Sequence, residues 1–303
     1  MKNTRFVIFV VILAFVTFSI PLTAEAFGNN GSKKGMMGMK DKKGKLSGQK
    51  EMSENIEKAD STQIDPEVAG AFFAMKADIK AMKKRGFIET GLRPVYPDSL
   101  DCKTANSYFG STKRGDGSFR SSRFYNGYHG GFDIPAKGEN IIAMADGEVV
   151  EKSEGANIGG IKVVLRHSPE DTGLGVWTFT EYKHLKEPSL FNLHERVRMG
   201  DVIGIAWNTG TSGGKAYGPS GHYHLHLSAW YNNTGEYKIH PKMLIPVDGY
   251  WADPLALMRG IPLESWKIKN LPDDAKDVTF AYKTEDGAIH PENAKLIWPF
   301  VCR

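Results

Sequence analysis

The chain has 303 residues, which is enough to bury a sizeable hydrophobic core in one or two domains. Hydrophobic residues make up 41% and charged residues 24%, as in ordinary globular proteins. The formal net charge of +4 is too small to indicate a nucleic-acid-binding protein by itself.

Residues 1–26 have the features of a secretory signal peptide. Lys2 and Arg5 precede an apolar run from Phe6 to Ile20, and the Ala-Glu-Ala sequence at 24–26 is a small-x-small cleavage site. The run has about 15 apolar residues, fewer than the ~20 needed to span a bilayer, so cleavage is favoured over a retained membrane anchor. No cysteine follows it, which argues against a lipoprotein. We therefore expect a periplasmic or secreted protein.

The chain contains two cysteines, Cys102 and Cys302. In an oxidising compartment they are expected to form one disulfide. Such a bridge closes a loop of about 200 residues and would stabilise the fold by up to about 5 kcal/mol in the loop-entropy description. Two free buried thiols are the alternative.

Residues 27–62 are predicted to form a disordered basic tether. Seven lysines lie between Lys33 and Lys50, with Asp41 as the single acidic residue, among Gly, Met and Ser. This composition does not support a packed core. A plain tether is the simpler interpretation, and binding to an anionic envelope polymer or a membrane surface is the more specific one. No nucleic-acid partner is predicted, and the oligomeric state stays open.

Residues 63–98 are predicted to be a helical segment. Asp65 before Pro66 supplies an N-cap and a proline at the first helical position, and Gly86 is a stop signal. Apolar residues recur at spacings of three and four at Val68, Phe72, Met75, Ile79 and Met82. The pattern predicts one amphipathic helix, from Pro66 to Arg85, packed on the main domain. A partner helix or a membrane surface is the weaker alternative.

Residues 99–260 change to short runs in which Val, Ile, Thr and aromatic residues alternate with polar ones and glycines intervene. Examples are NIIAMADGEVVEKSEG, GGIKVVLRH, GVWTFTEYKHL and RVRMGDVIGIAWNTG. This pattern predicts an antiparallel, mainly β domain without a substantial helix between Gly110 and Pro254. The remaining residues, 261–303, are predicted to be a polar C-terminal extension.

The stretch GHYHLHLSAW places His222, His224 and His226 at alternate positions, which lie on one face of a strand. Zinc hydrolases use three protein ligands, usually histidines and a carboxylate, and keep a fourth position open. His129 and Asp133, separated by a Gly-Gly pair, would complete such a set. Each signal alone is weak, but together they favour a zinc site.

The chain resembles the lysostaphin/LytM-type zinc endopeptidases, which cleave bacterial peptidoglycan. Several elements occur in the order of that family over about residues 105–256. They are HGGFDI (129–134), AMADGEVV (143–150), YKHL (182–185), VRMGDVIG (197–204), NTG (208–210) and HLH (224–226).

The resemblance implies an antiparallel β-sheet peptidase domain with zinc held by His129, Asp133 and His226. It further implies that His184 and His224 face the water that attacks the substrate. An imidazole can take a proton from that water or donate one to the leaving amine near neutral pH. Peptide-bond hydrolysis needs both operations.

The last histidine motif departs from the family pattern. The family ending is close to G-P-H-L-H-F-E, whereas here four residues separate Gly218-Pro219 from His224. His222 and His224 are therefore an alternative pair. We favour His224 and His226, because Leu225 matches the central leucine of the family and would lie on the apolar face.

These observations predict a secreted or periplasmic zinc endopeptidase acting on peptidoglycan stems or cross-bridges. The alternative is a wall-binding regulatory module whose metal site is occluded by the N-terminal helix or the C-terminal extension. A carbohydrate-binding module with incidental histidines is a third hypothesis. The four histidines that match no motif are expected to be structural; they are His167, His194, His240 and His290. Arg114, Arg123 and Tyr128 are candidates for substrate contact.

Overall fold

The computed structural model describes residues 64–153, 159–210, 221–240 and 243–303. All of them belong to one compact unit, Ser47–Arg303. The predicted signal peptide and basic tether, residues 1–62, lie outside the described residues. The fold is mainly β, which confirms the predicted fold class.

Within the described residues, strands greatly outnumber helices. The strands are β1 (Arg93–Val95), β2 (Phe132–Pro135), β3 (Asn140–Ile142), β4 (Gly147–Ser153), β5 (Ile161–His167), β6 (Trp177–Leu185), β7 (Arg196–Val197), β8 (Val202–Ile205), β9 (His224–Asn232), β10 (Tyr237–His240), β11 (Met243–Pro246), β12 (Tyr250–Ala252), β13 (Asp277–Thr279), β14 (Tyr282–Lys283) and β15 (Ile289–His290). The α-helices are α1 (Pro66–Phe72), α2 (Ile79–Lys84), α3 (Pro169–Thr172), α4 (Pro254–Arg259) and α5 (Ser265–Lys269). None of them is long and apolar enough to span a bilayer.

A seven-stranded antiparallel sheet forms the centre of the domain. Its strand order is β12-β9-β6-β5-β4-β7, and β2 also pairs with β9. The first half of β9 pairs with β2 and the second half with β12, so these two short strands lie end to end along one edge of β9. The other edge of β9 pairs with the long strand β6.

The two faces of this sheet pack against different partners. On one face, Leu225 and Leu227 of β9 lie in the larger core, which includes Tyr182 and Trp298. On the other face, Trp230 lies in a second, aromatic cluster. The alternation predicted for the strands is thus realised, and the histidines of β9 share the face of Trp230.

The N-terminal segment contains two short helices, so the prediction of one continuous helix is wrong. Phe73 has an extended backbone after α1, and the Asp78 side chain accepts a hydrogen bond from Ala81 N at 2.8 Å to begin α2. A side-chain cap of this kind competes with helix continuation. The break leaves Met75 and Ile79 53% and 42% exposed, although both belong to the predicted apolar stripe.

Asp65 caps α1 as predicted, and the helices pack on the main domain as expected. Phe72 stacks on Trp251 and contacts Trp230, with ring centroids 5.3 and 6.2 Å apart. Trp230 lies six residues after His224, about 20 Å along the strand. The helices therefore contribute to the aromatic end of this face, away from the histidine end.

The C-terminal extension is less polar than predicted. Trp298, Phe300 and Phe280 are buried in the larger core, and the Phe280 and Trp298 rings stack at 4.4 Å. Cys302 forms a disulfide with Cys102, which confirms the predicted pairing. The extension thus covers one face of the sheet and is tied covalently to the start of the main domain.

Candidate functional site

The pairing of β2 with β9 brings the first two site residues together. Asp133 lies directly opposite His226 in the antiparallel register, so both side chains leave the same face. Asp133 Oδ1 lies 2.9 Å from Nδ1 of His226. His224, two residues earlier on β9, places Nε2 3.4 Å from the same carboxylate oxygen.

His129 reaches this pair because two glycines follow it. A Cβ on Gly131 would lie 2.1 Å from the carbonyl oxygen of Leu227, so only glycine allows the chain to pass this close to β9. His129 Nε2 lies 3.1 Å from Asp133 Oδ1 and 3.0 Å from His226 Nδ1. One atom from each of the three predicted ligands therefore lies within 3.1 Å of the other two.

The hydrogen bonds around His129 determine which of its nitrogens carries the proton. Nδ1 lies 3.1 Å from the carbonyl oxygen of Tyr108, so it must be the donor. The lone pair of Nε2 then faces Oδ1 of Asp133, with no proton between these two acceptors. A divalent cation between them would satisfy both.

The spacing of these three atoms suits zinc. Tetrahedral coordination with Zn–N and Zn–O bonds of ~2.0–2.1 Å separates ligand atoms by about 3.3 Å. The observed separations of 2.9 to 3.1 Å are slightly shorter. Two histidines and one carboxylate are also a donor set typical of catalytic zinc.

An imidazole must be neutral to bind a metal ion, and burial favours the neutral form of both rings. It lowers the pKa of His129, and it lowers the pKa of His226 to about 3. Burial raises the pKa of Asp133, but the neighbouring His129 and His224 lower it more, and the net pKa is well below the ordinary value. The carboxylate is therefore ionised at neutral pH.

His184 joins the cluster through an unusual backbone conformation. Lys183 pairs with His226, so strand alternation alone would send the His184 side chain to the opposite face. The φ of His184 is +65°, in the left-handed region. Its ring consequently lies 4.6 Å from that of His224 and 5.9 Å from that of His226, centroid to centroid.

Both remaining histidines present Nε2 to the cluster. Nδ1 of His184 donates to the carbonyl oxygen of Thr209 at 2.7 Å, and Nδ1 of His224 donates to that of His222 at 3.0 Å. Burial lowers the pKa of His184 well below its usual range, so this imidazole is neutral near pH 7.

A second group, His184, His224 and His226, also has its ligand atoms within 4.8 Å of one another. The group containing Asp133 is the better zinc site, because its carboxylate compensates the charge of a cation. His222 belongs to neither group and is exposed. The geometry thus favours His224 and His226 over the alternative pair.

The sequence did not single out Arg120 or Ser107, which both lie at this site. Arg120 Nη2 lies 3.0 Å from Asp133 Oδ2 and donates to Ser107 Oγ. By contrast, Arg114 bonds within its own loop and Arg123 lies over the Phe124 ring. No periodicity or motif marks Arg120, because its role depends on a loop returning to the metal site.

Of the four histidines expected to be structural, His167 has the clearest role. It is fully buried, and its ring nitrogens lie 2.6 Å from the carbonyl oxygen of Asp146 and 2.8 Å from Thr180 Oγ1. Burial lowers its pKa to about 4, so it is a neutral hydrogen-bonding group of the core.

Comparison with known proteins identifies the segment that contains the site. Residues 127–237 match the profile of peptidase family M23. A comparison with curated proteins found no match.

Among solved structures, the chain is similar to the catalytic domain of the antimicrobial peptidase lysostaphin from Staphylococcus simulans. The identity is 20%, with 45% of this chain and 84% of that chain covered and a TM-score of 0.30. It is also similar to a zinc-containing peptidase from Vibrio cholerae at 21% identity, with 44% of this chain but only 34% of that chain covered and a TM-score of 0.31. For LytU the identity is 20%, the coverage 58% and 99%, and the TM-score 0.35.

The five histidine and aspartate positions of the cluster all fall inside the matched segment. Through that segment, residues 127–237, the chain is similar to peptidase family M23.

Proposed function

We propose that this protein is a secreted or periplasmic zinc endopeptidase that hydrolyses peptide bonds in the stems or cross-bridges of bacterial peptidoglycan. The observation that carries the proposal is the meeting of His129, Asp133 and His226 within 3.1 Å, with His184 and His224 beside them. The match of residues 127–237 to the profile of peptidase family M23 supports the reaction class.

His129, Asp133 and His226 would hold the metal, through Nε2, Oδ1 and Nδ1 respectively. Zinc bound there supplies Lewis-acid polarisation of the scissile carbonyl and makes water acidic enough to attack near neutral pH. Every other part of the chemistry falls to side chains of the chain itself.

His184 and His224 are the proposed proton-transfer groups. The donor bonds from their Nδ1 atoms leave Nε2 of each ring available. One imidazole takes the proton of the attacking water at Nε2. That ring then gives the same proton from Nε2 to the leaving amine and returns to its neutral form. The other ring, where solvent has protonated it before the reaction, donates a hydrogen bond to the oxyanion. Because burial lowers the pKa of His184 well below its usual range, this ring is neutral before reaction and its Nε2 carries no proton.

The export of the protein is part of the proposal. The buried disulfide Cys102–Cys302 persists only in an oxidising compartment, and the N-terminal sequence has the pattern of a signal peptide. The lysine-rich residues 33–50 would hold the enzyme near an anionic envelope polymer or membrane surface after export.

The direct test is incubation of the purified mature chain with intact sacculi from several wall types. We expect release of muropeptides that stops on treatment with a chelator and resumes when zinc is added back. Product analysis on defined cross-linked muropeptides then identifies the bond. Absence of release from every wall type by zinc-loaded, folded protein would contradict the enzyme proposal and support the regulatory alternative.

A further inference from the structure

A segment that precedes the family match forms backbone hydrogen bonds with two of the proposed ligands. Residues 107–120 lie before residue 127, where the match begins. Gly110 N donates to the carbonyl oxygen of His129, and His129 N donates to that of Ser111. Asp133 N donates to the carbonyl oxygen of Ser107 at 2.8 Å. Both ligands are thus fixed at the backbone by this segment.

Arg120, at the end of this segment, also contacts the carboxylate of Asp133. Nη2 of Arg120 lies 3.0 Å from Asp133 Oδ2 and 2.5 Å from Ser107 Oγ. The side chains of Arg120 and Asp133 are 18% and 14% exposed, and Ser107 is buried. Arg120 N is also fixed, because it donates to the carbonyl oxygen of Thr112 at 2.9 Å.

The two oxygens of Asp133 therefore have separate surroundings. Oδ1 faces Nε2 of His129 and Nδ1 of His226, whereas Oδ2 is occupied by Arg120. A carboxylate held by one oxygen cannot turn both oxygens towards a cation. The arrangement presents one oxygen of Asp133, Oδ1, to the two imidazoles.

We propose that Arg120 is a positioning residue for the metal site, one that fixes Asp133 so that Oδ1 alone serves as a ligand. The inference rests on the metal site of the proposed function. It adds that zinc affinity depends on a residue outside the segment shared with peptidase family M23.

The Arg120 guanidinium has two opposing effects on zinc binding. The guanidinium repels a cation, but it lies on the far oxygen and the charge of the same carboxylate compensates it. Removing it leaves Oδ2 poorly exposed to water without its charged donor and frees the carboxylate to rotate. Loss of hydrogen-bonding partners of ligand side chains typically weakens metal binding 10- to 100-fold. We therefore expect weaker zinc binding without Arg120.

The test measures zinc affinity of the full mature chain by competition with a chromophoric chelator, in the absence of any wall substrate. Arg120→Met keeps an unbranched apolar stem but removes the guanidinium, and should raise the zinc Kd about 10- to 100-fold. Arg120→Lys should recover part of the loss, because it keeps a positive charge near Oδ2 but lacks the planar guanidinium whose Nη2 donates to both Oδ2 and Ser107 Oγ. The matched control, Arg123→Met, removes an exposed neighbouring arginine and should stay within about twofold.

A folded Arg120→Met variant with the zinc Kd of the parent chain would overturn the proposal. If Arg120→Met does not fold, Ser107→Ala decides: it removes one partner of the guanidinium, and should raise the zinc Kd about fivefold. An unchanged Kd there would also overturn the proposal. Since no wall substrate is present, normal zinc binding without muropeptide release would count against the proposed function alone.

Discussion

Two clusters of buried and half-buried ionisable side chains lie next to each other on one face of the central sheet. The histidine cluster consists of His129, Asp133, His184, His224 and His226. The ion network consists of Glu151, Lys162, Glu181 and Lys183. Lys183 pairs with His226, and Glu181 pairs with Ser228 two residues further along β9. The same sheet face therefore carries both clusters a few ångströms apart.

The ion network balances its charges internally. Lys162 Nζ lies 2.9 Å from both Glu151 Oε1 and Glu181 Oε1, and Lys183 Nζ lies 2.7 Å from Glu181 Oε2. Burial raises the pKa of Glu181, but the charges of Lys162 and Lys183 outweigh it and lower the pKa to about 2. Its two carboxylates match its two ammonium groups in charge.

The histidine cluster has the opposite composition. Nε2 of His129 and Oδ1 of Asp133 face each other beside His226, and Arg120 donates to the outer carboxylate oxygen, Oδ2. Burial of charged groups therefore does not by itself indicate function. A surplus of acceptors at one point indicates a cation site, whereas a balanced set indicates a structural network.

Replacing one of the proposed metal ligands should cause the largest difference between variants of the two clusters. Asp133→Ala and His226→Ala each remove one of three proposed metal ligands. Because the loss of a ligand's hydrogen-bonding partner already costs 10- to 100-fold, we expect zinc affinity to fall by more than about 100-fold. Wall cleavage should become undetectable. The zinc content after dialysis measures the loss of zinc binding, and muropeptide release measures the loss of wall cleavage. Stoichiometric zinc in His226→Ala would contradict the assignment of His226.

The next largest effect should come from the proton-transfer histidines. His184→Ala and His224→Ala should each lower the rate of wall cleavage by about 10²- to 10⁴-fold, the usual contribution of a general acid or base. Zinc should remain bound, because the three ligand atoms are untouched. His222→Ala is the matched control on the same segment and should retain most of the activity. Zinc lost from His224→Ala but kept in His226→Ala would instead support the His222–His224 pair.

Breaking the ion network should reduce stability and leave zinc binding unchanged. Lys162→Met leaves Glu151 and Glu181 without their shared ammonium, and loss of one partner in a buried pair costs about 3–5 kcal/mol of the free energy of unfolding. Urea denaturation measures the change.

Two further variants test the reason for this loss. In Lys162→Met with Glu181→Leu, most of the stability should return, because the unpaired carboxylate is gone. The exposed Lys186→Met serves as the matched control for loss of a lysine and should stay within about 0.5 kcal/mol. A Lys162→Met chain as stable as the parent would show that the network contributes nothing.

The smallest effect concerns pH. The pKa of Glu181 is about 2 in the folded chain, against an ordinary value of 4.5, so its stabilisation is present above pH 4.5 and is lost as pH falls through 2. The difference corresponds to about 3 kcal/mol, to order of magnitude. Glu181→Gln should therefore flatten the pH dependence of the unfolding free energy between pH 4.5 and 2. Equal slopes in parent and variant would contradict the coupling to Lys162 and Lys183.

Much of the fold follows from local patterns in the sequence. Alternating apolar residues predict the strands and their inward faces, and Asp65 with Pro66 predicts where α1 begins. The helix pattern fails at Phe73, where the competing Asp78 cap interrupts it. Leu296, Trp298 and Phe300 are buried although the extension looked polar, because burial depends on which surface a segment meets.

The amino-acid sequence specifies the chemical groups that are available: three alternating histidines, an H-G-G-F-D motif, and two cysteines able to pair across 200 residues. How these groups are used depends on the folded arrangement. Strand register set Asp133 opposite His226, and a left-handed backbone turned His184 towards His224. Arg120 reached Asp133 through a loop that no pattern marks. Residue type and local spacing are encoded along the chain, whereas register and loop contacts depend on the packing of distant segments.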